Sequence, residues 1–209
     1  MDIKKFNITG IILSAGLSGR MNSFKPLLKL KNGKTFIQTI VEKLSNMCDE
    51  VIVVTGFKSN VIEENLNAIE QKEKLRFVFN EYYKSGMFTS LQAGLKEANS
   101  KWYLYHFVDQ PSLPLNFYSE FIKQIDEQFN WIQPTYNNRK GHPILFDDFV
   151  KQKILESSID KTLRDVAQDN SIKKKFWECK TDLIFQDIDL ASQYDNLASK
   201  ISFILRSNF

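Results

Sequence analysis

Ile11-Ile-Leu-Ser-Ala-Gly-Leu-Ser-Gly-Arg20-Met-Asn-Ser-Phe-Lys25-Pro26 passes within a few residues from buried-strand chemistry to phosphate-handling chemistry, and its reading decides the fold. Thr9 to Leu13 is a short apolar, β-branched run that suits a strand covered on both faces. Ser14 to Ser23 then carries small residues, two glycines and no apolar periodicity, so the backbone can turn tightly and aim N–H groups at an anion. Arg20 and Lys25 add two fixed positive charges to that loop. A strand that opens into a small-residue, cationic loop is how an open α/β sheet presents a ligand site at the carboxyl ends of its strands.

Outward from this stretch, strand and helix signals alternate. Thr35 with Gln38 three residues on reads as a capping box for a helix whose apolar side is Ile37, Ile40, Val41 and Leu44. Glu50 to Thr55 reads as a strand ending in Thr55-Gly56, followed by a helix from about Ser59 to Gln71 and a strand from Leu75 to Phe79 that ends at Asn80. The connection from Asn80 to Ser90 is long for a compact domain, and such loops are often functional. Thr89 with Gln92 is expected to cap the next helix, which would put Ser90 at an N-terminus where backbone donors and the dipole favour a phosphate. Trp102 to Val108 is the most apolar strand and stops at Asp109-Gln110-Pro111, with His106 read as a packed core histidine. Arg139-Lys140-Gly141-His142-Pro143 feeds the apolar run Ile144-Leu145-Phe146, and Asp160 is the expected N-cap of a helix that carries Arg164. Leu183 to Asp189 is expected as a last strand with Asp187 and Asp189 two apart on one face, before a helix from about Ala191 to Leu205. Six or seven strands alternating with helices imply an α/β fold: a single three-layer Rossmann-like domain over residues 1–209 with a mostly parallel central sheet.

Composition narrows the function classes. At 209 residues the chain can bury a generous core in one domain, and its 17 phenylalanines suit that core and its pockets. A net charge of +3, from 28 basic against 25 acidic residues, is too small to argue for nucleic acid, and none is expected as a partner. Cys48 and Cys179 are far apart and lack metal-ligand spacing, so they are expected as reduced thiols. No run approaches the roughly 20 apolar residues of a membrane helix, and Met1-Asp-Ile-Lys-Lys leads straight into the first strand, so the expectation is a cytoplasmic protein without a membrane partner. Gly33-Lys34-Thr35 is not a P-loop, because the first glycine of that motif would fall on Leu28. Gly16 and Gly19 lack the third glycine of a dinucleotide fingerprint.

Leu13-Ser14-Ala15-Gly16, Arg20-Met21 and Lys25-Pro26 together resemble the nucleotidyltransferase signature, and more narrowly that of the MobA-like molybdenum cofactor nucleotidyltransferases, in their cytidylyl-transferring branch. Asp109-Gln110-Pro111 is a second match, with Val108 standing where the family usually has glycine. Asparagine, glycine-methionine and serine-leucine recur as Asn80, Gly86-Met87 and Ser90-Leu91, and Gly141-His142-Pro143 resembles the family's acceptor side. Asp187-Ile188-Asp189 is similar to its late acidic motif, whereas Ser157-Ser158 replace the glycine-rich approach to Arg164.

The resemblance implies a nucleotide-diphospho-sugar transferase-like fold and transfer of a nucleoside monophosphate with Mg2+ as cofactor. Its catalytic residues would be Arg20, Lys25 and Asp109. Nucleotide binding would fall to Leu13, Ser14, Ala15, Gly16, Thr55, Asn80 and Ser90, and acceptor binding to Arg139, Gly141, His142 and Arg164, with Lys140 beside them. The metal would lie on Asp109 with Asp187 or Asp189. Alanine before the glycine goes with cytidine in the family, so Ala15 implies CTP. The implied acceptor is molybdopterin carrying molybdenum or a related phosphorylated small molecule, and the implied client a molybdenum hydroxylase. Guanylyl, sugar-phosphate and methylerythritol-phosphate transfer share the signature, and a redox enzyme or a non-catalytic cofactor-delivery protein stay open beside them.

Overall fold

The computed structural model describes residues 6–17 and 24–186. Among the described residues one sheet contains β1 (Ile8–Leu13), β2 (Glu50–Thr55), β3 (Leu75–Phe79), β4 (Trp102–Phe107), β5 (Trp131–Tyr136), β6 (Arg139–Lys140), β7 (Ile144–Asp147) and β8 (Lys174–Glu178). The strands run in the order β3-β2-β1-β4-β7-β5, with β6 and β8 also paired to β5. Parallel ladders join β2 to β3, β1 to β2 and β1 to β4, whereas β7 runs antiparallel to both β4 and β5. β1 is buried at all six positions, as its continuous apolar run requires of a strand with both faces covered.

Alternation along the strands feeds two cores. Ile8 and Ile12 of β1, with Trp102 and Leu104 of β4, face α1 (Phe36–Met47), α2 (Ser59–Leu66) and, through Phe117, Tyr118 and Phe121, α4 (Leu115–Ile122). Ile11 and Leu13, with Tyr103 and Tyr105, face α3 (Met87–Glu97), α5 (Asp148–Glu156) and the one-turn α6 (Leu163–Val166) on the other side. The α1 box forms as its spacing predicts: Thr35 Oγ1 accepts from Gln38 N at 3.2 Å and Gln38 Oε1 accepts from Thr35 N at 2.9 Å. The chain leaves β1 through α1 toward β2 and later returns through α3 to β4, on β1's other edge. Strand order therefore reverses between β1 and β4, and the crevice at their carboxyl ends is where such sheets take ligands.

Four expectations fail here for physical reasons. α3 starts at Gly86, whose φ of +118° suits glycine, and Thr89 makes no box with Gln92: its hydroxyl donates back to Gly86 O at 2.8 Å and Tyr82 O at 3.0 Å. Asp160 does not cap α6, because Thr162 does, in a box with Asp165. Leu183 to Phe185 is no strand: Asp182–Phe185 is a 3-10 turn opened by Thr181, and Asp187, Asp189 and the helix expected after them lie outside the described residues. The second helix is also shorter than expected, ending at Leu66.

Candidate active site

Lys25 is delivered by a 3-10 turn, Lys25–Leu27, in which Pro26 fixes the backbone near its start and is itself buried. Phe24 and Leu27 pack onto the α1 side of the core, and the turn is tied back by Phe36 N donating to Leu28 O at 2.9 Å. The anchored turn aims Lys25 Nζ across the crevice to 3.4 Å from Asp109 Oδ2, just past the end of β4, with the two side chains only 12% and 23% exposed. Strand β1 pairs Leu13 with Phe107, so the start of the first loop and the turn that carries the acid leave neighbouring strands at the switch point. A half-buried cation and carboxylate at that place form a charge-compensated seat that a polyanion and its counter-cation can enter.

Behind this pair lies a residue the sequence reading passed over. Lys43 of α1 donates from Nζ to Pro111 O and Leu113 O, each at 2.7 Å, and so holds the turn that follows Asp109. Burial drives its pKa down from 10.5 to about 8, against the opposing pull of Glu42. The signal was present: Lys43 lies three residues from Ile40 and seven from Phe36, on the edge of the buried stripe of α1.

The loop after β1 begins buried: Leu13, Ser14 and Ala15 are inside and Gly16 is outside. Ser14 N donates to Val54 O at 2.9 Å, while Ser14 Oγ is buried without a hydrogen-bond partner among the described residues. Ala15 O accepts from Phe57 N at 3.1 Å. Gly56 makes that approach possible, since a Cβ there would stand 2.7 Å from the Tyr83 side chain and 2.9 Å from Ala15 O. Thr55 is fully buried at the end of β2, and its carbonyl receives Asn80 N at 2.9 Å.

Asn80 and Ser90 do meet, but on each other. Asn80 Nδ2 donates to Thr89 Oγ1 at 3.0 Å and Ser90 Oγ at 2.9 Å, and its Oδ1 accepts from Tyr82 N at 3.0 Å. The three side chains form a buried clasp between the end of β3 and the first turn of α3, which fixes the rim of the site.

On the opposite rim, alternation along β6 sends its two cations apart: the Arg139 guanidinium stands 4.5 Å over the Phe185 ring and Lys140 Nζ 4.4 Å over Phe176. Gly141 packs under the 3-10 turn, where a Cβ would come within 2.6 Å of Ile184, and His142 N donates to Ile184 O at 3.1 Å. The His142 ring lies 4.3 Å from Phe107, and burial lowers its pKa to about 4, so at neutral pH it is an uncharged imidazole rather than a cation. His106 is the core histidine expected, bonded through Nε2 to Tyr118 Oη at 2.7 Å. Arg164 is exposed on α6. Arg20, Asp187 and Asp189 lie outside the described residues. Among the described residues no group of three or more His, Cys, Asp or Glu side chains could hold a metal ion, which leaves Asp109 as the described member of the expected metal set.

A profile of the MobA-like NTP transferase domain matches residues 10–174, from the middle of β1 to the start of β8. The chain belongs to this family. As a MobA-like NTP transferase it is 27% identical to the molybdenum cofactor cytidylyltransferase of Escherichia coli (strain K12) over 135 residues, 65% of this chain and 67% of that one. It is 25% identical to a probable molybdenum cofactor guanylyltransferase of Bacillus cytotoxicus over 164 residues, 78% of this chain and 79% of that one. Among solved structures, a nucleotidyl transferase from Methanothermobacter thermautotroptrophicus shares the fold with a TM-score of 0.79 at 21% identity, over 96% of this chain and 99% of that one. The MobA-like chain is thus a nucleotidyltransferase, related to both cytidylyl- and guanylyl-transferring enzymes. No helix among its described residues is long and apolar enough to cross a membrane.

Proposed function

We propose that this nucleotidyltransferase moves CMP from CTP onto the terminal phosphate of a pterin-type acceptor, molybdopterin or its molybdenum form, and releases pyrophosphate. The observation that carries the reading is Lys25 Nζ 3.4 Å from Asp109 Oδ2 at the β1–β4 switch point of a MobA-like domain. An oxygen of the acceptor phosphate attacks the α-phosphorus in line, the bond from that phosphorus to the β-bridging oxygen breaks, and the electron pair leaves with pyrophosphate. No protein nucleophile is needed, so the chain's work is positioning and charge compensation. Lys25 holds the triphosphate from one side, and Arg20 carries a second charge on the same loop. With Ser14 N held by Val54 O, the backbone N–H groups of Ala15 and Gly16 are the next donors along the loop from the strand end.

Magnesium accepts one or two carboxylates plus substrate phosphates, and the Asp109 carboxylate at a strand end is a donor of that kind, with Asp187 or Asp189 as its expected companion. The ion when bound neutralises charge on the phosphates. Ala15 in place of a second glycine supports cytidine over guanosine, and the cytidylyltransferase name of the E. coli relative agrees, while the Bacillus relative's name keeps GTP as the second reading.

Thermal melts with each of the four nucleoside triphosphates and Mg2+ test the donor. CTP at a hundredfold its Kd adds about 2.7 kcal/mol, which for a domain of this size raises Tm by about 5–10 °C. A rise with GTP and none with CTP would transfer the assignment to guanylyl transfer, and no rise with any of the four would overturn it. Pyrophosphate release that requires molybdopterin then tests the acceptor.

A further inference from the structure

A second hollow opens at the strand ends on the α3 side of the sheet. Its volume is about 360 Å3, and its wall includes Gly86, Met87 and Leu91 of the first turns of α3, Tyr105 of β4, and Ile159 and Lys161 from the chain entering α6. None of the residues expected to hold the nucleotide lines it. It nevertheless reaches the reaction centre through aromatic contacts: the Tyr105 ring stands 5.0 Å from Phe107 and 6.3 Å from His142, and Phe107 is two residues before Asp109.

We propose that this hollow takes the flat ring system of the phosphorylated acceptor, with the acceptor phosphate directed past Tyr105 toward Asp109. The inference rests on the pterin-type acceptor argued above and assigns it a place. Size agrees, since small-molecule pockets begin near roughly 300 Å3. So does wall chemistry. Met87, Leu91, Ile159 and Tyr105 offer apolar surface to the faces of a ring, and the few polar groups, Ser85, Thr162 and the Asp160–Lys161 pair, suit the donor and acceptor edge of a heterocycle. A sugar, with hydroxyls all round, would leave most of them without partners in such a wall. Met87 and Ile159 are 57% and 62% exposed, large apolar side chains at the mouth that a ring would cover. The Tyr105 phenol is raised above its ordinary pKa first by burial and then by the Asp109 carboxylate, which places it within electrostatic reach of the acid.

The test uses the intact chain and 6-hydroxymethylpterin, whose own fluorescence reports binding. Met87→Asp combined with Ile159→Asp changes two exposed side chains that folding does not need. Wild type is expected to quench the pterin, and the double variant to bind it at least tenfold more weakly, with the CTP-induced rise in Tm the same in both. The inference is overturned if wild type fails to bind the pterin, if the double variant binds it equally, or if N-acetylglucosamine 1-phosphate competes for the hollow as well as the pterin does. Loss of the CTP response in the double variant would also overturn it, by merging the hollow with the nucleotide site. A wild type that binds pterin but shows no CTP response removes the donor assigned above and leaves the occupant of the hollow standing.

Discussion

Lys25 and Asp109 come from positions 84 residues apart and meet because β1 and β4 are neighbours, so their contact reports the fold and the chemistry together. Removing one preorganised charge from a polyanion site costs on the order of two or more powers of ten in turnover; Lys25→Ala is expected to lose that much in single-turnover pyrophosphate release with CTP bound, and near-normal rates would remove Lys25 from its role. Lys43 acts one step behind. Its ammonium is held at the carbonyls of Pro111 and Leu113, and Lys43→Met leaves both without that donor. Turnover should fall by roughly tenfold, about 1.4 kcal/mol of barrier, because the Asp109 turn loses its prop while the proposed nucleotide contacts remain; an unchanged kcat would make Lys43 a stability residue only. The pH sign follows from the lowered pKa. Between about pH 8 and 10.5 the unfolded chain holds a proton on Lys43 that the folded chain has released, so wild-type stability rises across that window. Urea titrations at pH 8 and 10 should show the rise in wild type and a smaller one in Lys43→Met.

At the scale of elements, the sequence made legible whatever was written in local pattern. The α1 capping box, the β1 run and the break after β4 each depend on residues within a few positions of one another, and each forms where its pattern puts it. Three strands had no such pattern. β5 contains Pro134, β6 is two cations, and β8 is Lys-Lys-Phe-Trp-Glu, a charged run that becomes a strand by pairing with β5. The α3 start misled because the N-cap is Gly86, which puts Thr89 inside the first turn, its hydroxyl donating to the carbonyls of Gly86 and Tyr82 instead of accepting from Gln92 N. The sequence singled out Lys25 and Asp109, which the fold brings to 3.4 Å, but not what Gly141 and His142 pack against, since both contacts depend on the Asp182–Phe185 turn lying across β6. That contact is testable: Gly141→Ala places a Cβ against Ile184, and overpacking of this kind costs about 1–3 kcal/mol. Ile184→Ala on the same chain should recover part of the loss in urea melts, whereas additive losses would show that the two residues do not press on each other.

For the whole molecule, the two histidines set an acid limit. His106 is fully buried, with Lys43, and His142 once protonated, as the charges that bear on it, and His142 is pressed against Phe107; burial holds both folded-state pKa values down, to about 3 and about 4. Each contributes stability that is fully present above the unfolded value of 6.5 and is lost as pH falls toward the folded value, because the unfolded chain takes up protons that the core refuses. At pH 5 the pair together should cost roughly 4 kcal/mol relative to pH 7.5, a large part of the 5–15 kcal/mol typical of a domain. Both residues stand beside the candidate site, His106 on β4 three residues before Asp109 and His142 against the same strand's end, so the loss should be cooperative with loss of the proposed nucleotide binding rather than confined to an edge. Urea unfolding at pH 7.5, 6 and 5 should show a fall in the midpoint that begins near 6.5, and His106→Gln with His142→Gln should flatten it. If the double variant kept the wild-type slope, the acid sensitivity would belong to carboxylates and the histidine argument would fail.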